Sequence, residues 1–114
     1  MPSIVVGSTV TARVTITNNS GQAVSITLRT GLVPVGANGP LTTATVEQEL
    51  SVGQSATFVI PVTMPNAPAT QDFLVDVYAR FLWDTQAVLV SSHKASEPVA
   101  VVAPAYNFGV SIGW

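Results

Sequence analysis

The stretch GSTVTARVTITNNSGQAVSITLR, residues 7–29, decides the fold class. Within residues 8–18, Val10, Ala12, Val14 and Ile16 fall on one parity, and Thr9, Thr11, Arg13, Thr15 and Thr17 on the other. A strand sends successive side chains to opposite faces, so this alternation predicts a half-buried strand. Asn18-Asn19-Ser20-Gly21-Gln22 follows, and Asn and Gly tolerate the positive φ of tight turns. Residues 23–29 then place Val24, Ile26 and Leu28 inward and Ser25, Thr27 and Arg29 outward. The expectation is a hairpin of these two strands.

Working outward, the same period of two continues. Residues 30–40 hold Gly31, Pro34, Gly36, Gly39 and Pro40, and read as the longest loop. Residues 41–50 read as a strand, with Ala44, Val46 and Leu50 opposite Thr43, Thr45, Glu47 and Glu49. After a turn at 51–54, Ala56, Phe58, Ile60 and Val62 alternate with Thr57, Val59, Pro61 and Thr63. Pro61 cannot donate to a ladder, which places that strand at an edge or a bulge. Residues 72–83 form the most apolar strand and are expected at the centre of a sheet. Asp84-Thr85 turns it into a strand over 86–92, residues 91–98 read as polar loop, and 99–103 form a further strand. Residues 105–114 put Tyr106, Phe108, Val110, Ile112 and Trp114 on one face and Ala105, Asn107, Gly109, Ser111 and Gly113 on the other, the pattern of a last strand. No segment carries a helical apolar stripe. Seven to nine short strands with regular turn signals predict an all-β fold: a single immunoglobulin-like antiparallel β-sandwich, residues 1–114 as one domain. Its expected core is Val14, Ile16, Ile26, Phe58, Ile60, Val75, Val77 and Phe81, the inward parity of the clearest strands.

Composition supports the fold and narrows the function. Valine (19), threonine (13) and isoleucine (5) together make 37 of 114 residues, types that suit a pleated, half-buried surface. Charged residues are 9% of the chain against a usual figure of about 25%. That excludes a coiled coil, a charge-driven disordered chain and a polybasic nucleic-acid binder. A net charge of −2 draws no nucleic acid. Without cysteine there is neither disulfide, thiolate metal site nor cysteine nucleophile. The first seven residues lack a basic region and an apolar core, so no signal peptide is expected. The apolar run 99–103 stops at Pro104, far short of the roughly 18 residues that span a bilayer, so no membrane partner is expected.

The wording of 7–29, followed by LSVGQSATFVIPVTMP at 50–65, resembles the immunoglobulin-like modules of bacterial, archaeal and phage surface proteins, such as galactosidase-associated and cell-adhesion-related (CARDB-type) domains. The shared phrase is a Thr/Val-rich strand ending in Asn and a small polar turn, then a strand led by leucine, a small residue and Gly-Gln. The resemblance covers about 40 residues and implies a sandwich with a spacer, adhesive or accessory role. It brings no catalytic residues. Unlike those modules, which are appended to larger proteins, this domain is expected to stand alone.

The candidate chemistry is thin. His93 is the only histidine; no G-x-S-x-G elbow accompanies it, and Ser91 and Ser92 nearby do not make a triad, so a solvated loop histidine is expected. Glu47 and Glu49 share a strand parity, roughly 7 Å apart, a spacing a glycosidase or a calcium ion could use, though edge charge that deters strand addition explains it as well. Asp72 and Asp76, about 13 Å apart, are too distant to share an ion. Gly36-Ala37-Asn38-Gly39-Pro40 lacks the Lys-Ser/Thr of a phosphate loop. Asn18-Asn19-Ser20 matches a glycosylation sequon on a presumed exposed hairpin tip. Catalytic, cofactor and metal sites are therefore each expected to be none. Aromatics not assigned to the core, Tyr78, Trp83, Tyr106 and Trp114, are the expected interface anchors. These readings favour a non-enzymatic structural protein, a decoration or stabilising protein on the surface of a virion (phage capsid). Its partners would be other subunits of the assembly, with self-association a further option. The alternative is an adhesive or carbohydrate-binding module of an extracellular or cell-surface protein.

Overall fold

The computed structural model describes residues 2–37, 39 and 41–113. Among them lie nine strands and no helix: β1 Ser3–Val5, β2 Thr9–Thr17, β3 Val24–Pro34, β4 Thr43–Ala44, β5 Gln48–Leu50, β6 Ser55–Thr63, β7 Ala69–Phe81, β8 Val88–Lys94 and β9 Val99–Val102. They form two sheets. The larger runs β1-β9-β7-β3-β4, with β5 also on β3 and β8 also on β7; the smaller is β2-β6 alone. The fold is all-β, but the larger sheet is mixed, because β1 and β9 pair in parallel. The expectation of an antiparallel arrangement throughout is corrected there.

The hairpin expected of residues 8–29 does not form. β2 pairs with β6 along its whole length, and β3 pairs with β7. Asn18 is the reason. It is only 3% exposed, and its Nδ2 donates to the carbonyls of Gln22, Leu50 and Ser51 while its Oδ1 accepts the Ser20 N–H. Its backbone N–H donates to Gln54 O, and its carbonyl accepts from Gly53. Residues 18–22 are thus tied to the β5–β6 turn and carry the chain from one sheet to the other. The Asn18 amide is consumed inside, so the glycosylation sequon is not an exposed hairpin tip. The threonines of β2 find their partners across β6, at 2.8 Å for Thr9–Thr63 and 3.0 Å for Thr15–Thr57.

The loop expected over 30–40 is largely strand. β3 runs on to Pro34, held in register to Gln71. Glycine and proline read as punctuation, but Gly31 lies within the strand and close to Leu41: a Cβ there would stand 2.9 Å from Leu41 Cδ2 and make that side chain shift. The strand expected over 41–50 is broken into β4 and β5, both on β3. Between them Thr45 donates its N–H to Leu28 O at 2.9 Å. β8 reaches Lys94, so part of the expected polar loop is strand, and a register shift beside Val77/Tyr78 leaves Val90 as the extra residue of a bulge. β7 is central as expected, between β3 on one side and β8 and β9 on the other. Pro61 sits on β6, an edge strand. Gly7, at φ +74°, is the pivot from β1 into β2, a left-handed backbone that other residues resist.

The core lies between the sheets. Ile26, Phe58, Ile60, Val75 and Val77 are buried as expected, joined by Val24, Leu28 and Leu50. Val14 and Ile16, expected to be nearly fully buried, are only half-buried against this cluster because β2 is an edge strand, although they do face it. Phe81 is not core: it is 37% exposed. A two-stranded sheet is too narrow to cover the larger one, and the end of β7 lies outside its shadow. Residues 103–113 form no strand, which corrects the expected last strand. They carry the molecule to 80 × 26 × 22 Å and a radius of gyration of 19.0 Å, against about 13 Å for a compact chain of 100 residues.

Candidate interaction surface

The narrowness of the smaller sheet sets the surface. β2 lies over the β7–β8 side of the larger sheet and β6 over the β3–β4 side, as the residues lining the clefts along each flank show. The outer edge of β2 pairs with no strand among the described residues. Beneath that edge the inward face of β8, with His93, Ser91 and Val88 in register with Val75, Val77 and Ala79, is not covered by β2. A cleft of about 520 Å³ results, walled by Thr15 and Ile16 of β2, Val77 and Phe81 of β7, and Val88 and Val90 of β8. Val88 and Val90 are each 61% exposed. The period-two reading of the chain missed this site. The run Ala87-Val88-Leu89-Val90 was its signal, since a strand apolar on both parities asks to be covered on both faces.

The expected anchors are scattered rather than gathered. Tyr78 is on the outer face of β7, half-buried beneath the Arg29 guanidinium, 5.5 Å from the ring centre. Trp83 is exposed beyond β7, stacks on Phe81 at 5.5 Å, and donates its indole N–H to Gln22. Tyr106 stands on the projecting segment, stacked on Phe108 at 6.0 Å. Trp114 lies outside the described residues. Tyr106, Phe108, Val110 and Ile112 are between 78% and 92% exposed, each leaving about 1.5–3 kcal/mol of burial unrealised.

Titratable groups are spread out, and among the described residues no three His, Asp or Glu side chains cluster as a metal site would need. His93 is on a strand, not in a loop, and its Nε2 lies 2.9 Å from Ser91 Oγ. Residues two apart on a strand share a face, which accounts for the contact. Glu47 and Glu49 do not share a strand: Glu47 precedes β5 and pairs with Arg80 at 2.9 Å. Ser25 Oγ is buried and closes no hydrogen bond, although its hydroxyl is the largest influence holding the Glu47 carboxyl below its ordinary value, with Arg80 second. The Arg80 guanidinium closes the ion pair with Glu47, with Ser25 as a buried polar neighbour. Asp72 is buried, accepting the Gly36 N–H at 3.3 Å, with Lys94 Nζ at 3.8 Å.

Compared with known protein families, curated proteins and solved structures, the chain matches none. The geometry alone therefore carries the functional reading. It offers an open strand edge over a cleft of mixed lining, with Ile16, Val88 and Val90 beside Ser91 and His93, and a separate segment whose large apolar residues are exposed.

Proposed function

We propose that this chain is a non-enzymatic structural protein that works by docking, as a decoration or stabilising protein on the surface of a virion (phage capsid). The observation that carries the reading is the projecting segment 105–113, whose apolar residues alternate like a core strand yet stand in solvent. Isolated proteins blunt such edges with charge or proline, and none occurs between Ala105 and Gly113. A surface with few charges suits a molecule meant to be covered by neighbours. Its body would be a variant of the immunoglobulin-like sandwich with one sheet reduced to two strands. Binding only the assembled state of a shell would stabilise that shell by mass action.

The rival reading, a carbohydrate-binding module, leans on exposed Trp83. One face of that ring is already occupied by Phe81 and its N–H is already engaged, which leaves little of the platform that stacking on a sugar needs. Gold-labelled antibody against the chain, applied to particles and cells from the source of the sequence, separates the two. Regular label on particles is expected; label confined to cell envelopes would sink the virion reading.

A further inference from the structure

We propose that the segment 105–113 of one copy adds as a third strand to the outer edge of β2 in a second copy, closing the cleft over β8. The proposal rests on the reading of this chain as a docking protein and names the site and the partner.

Three features of the molecule fit each other. The first is length. β2 has nine residues and the segment has nine, about 30 Å in either case. The second is pattern. A strand laid against β2 would keep the inward–outward alternation of the smaller sheet. Tyr106, Phe108, Val110 and Ile112 would then face down onto Phe81, Val88 and Val90 at one end of the cleft and Ser91 and His93 further along β8. The small residues Ala105, Asn107, Gly109, Ser111 and Gly113 would face solvent, continuing the row of Thr11, Arg13 and Thr15. The third is vacancy on the right side. Of the two edges of the smaller sheet, β6 carries Pro61, a residue that discourages strand addition, whereas β2 keeps every donor and runs beside the cleft.

The occupant is a second copy rather than the segment's own body. Residues 103–113 lead away from the sheets and give the molecule its 80 Å long axis, three times the other two. Main-chain pairing then supplies affinity while alternate side chains in the cleft supply register, the division of labour seen whenever a sheet edge accepts a strand. Exchange between copies can close as a dimer or run on as an open chain, and both bury the same surfaces.

The chain lacks cysteine, so single thiols report the contact cleanly. Arg13 is the middle of β2 and Gly109 the middle of the segment, so these positions meet whether the added strand is parallel or antiparallel. Equal amounts of Arg13→Cys and Gly109→Cys should cross-link on mild oxidation into mixed dimers, at least about tenfold above a Val59→Cys and Gly109→Cys control on β6. The unmodified chain should self-associate in sedimentation equilibrium, and Phe108→Ser should weaken that association by at least about tenfold. Phe108 touches nothing in the body, so its variant folds, as a circular dichroism melt will verify. Association that depends on Phe108 without the Arg13–Gly109 link overturns the strand-addition site but leaves the docking role of the segment standing. A chain that stays monomeric at millimolar concentration overturns the second copy as occupant. If an Arg13→Cys/Gly109→Cys double variant then closes on itself, the segment belongs to its own β2.

Discussion

β7 and the segment 105–113 are written alike and end differently. Each alternates large apolar residues with smaller or polar ones, and each has aromatics on its apolar face. In β7, Val75 and Val77 are buried between the sheets, with Phe73 and Ala79 packed against them. In the segment, Tyr106, Phe108, Val110 and Ile112 stand in solvent. The difference lies in what surrounds them: β7 has β3 on one side, β8 and β9 on the other, and the smaller sheet above, whereas the segment has no neighbour among the described residues. Alternation states that a strand has two faces. It does not state which surface will cover the apolar one. Where the fold has no surface left to offer, a well-patterned segment stays in solvent.

The comparison can be broken hardest in the body. Phe58→Ala empties a buried aromatic position in the cluster beneath β2 and β6 and should cost about 3–5 kcal/mol in urea unfolding. A loss under about 1 kcal/mol would mean the sheets are not packed as described. Asn18→Ala comes next. It strips the donor from three carbonyls at the crossing between sheets and should cost about 3 kcal/mol. A neutral result would show that the crossing is held by something else. In the segment the same kind of change should do almost nothing to the fold. Tyr106→Ser with Val110→Ser should stay within about 0.5 kcal/mol of the unmodified chain, as exposed substitutions do, while lowering self-association.

The smallest effect concerns charge. The Glu47 carboxyl is held below its ordinary value of 4.5 by Ser25 and Arg80. A carboxylate with a depressed folded pKa contributes stability that is present above its unfolded pKa and lost as pH falls through the folded value. Glu47→Gln should therefore show a slightly lower urea midpoint at pH 7, and the gap should close at about pH 3. A gap that widens in acid would reverse the sign and remove the Arg80 pair from the account.

The strands were legible because period two is local: β2 and β6 follow directly from Thr/Val alternation, and β7 from the alternation of Phe73, Val75, Val77 and Ala79 in an apolar stretch. Pairing was not, because it is set by groups distant in sequence. Asn18 reads as a turn residue, and only its bonds to Leu50 and Ser51 reveal that it sends β3 to the other sheet. Gly31 and Pro34 read as loop, yet β7 holds them in a ladder, since an eleven-residue register outweighs the weak strand preference of two residues. Tyr106 was legible as an aromatic outside the core, and it stands in solvent. The cleft was not, since it exists only where β2 fails to cover β8.

The central claim is that the body folds without the segment and that the segment exists to be covered. A chain ending at Pro104, measured by urea unfolding and sedimentation equilibrium in the same buffer, tests it most directly. The account predicts cooperative unfolding with a midpoint independent of protein concentration, together with a monomeric mass, while the full chain associates. A truncated chain that loses cooperative unfolding would show instead that residues 105–113 are part of the body, and would contradict the account.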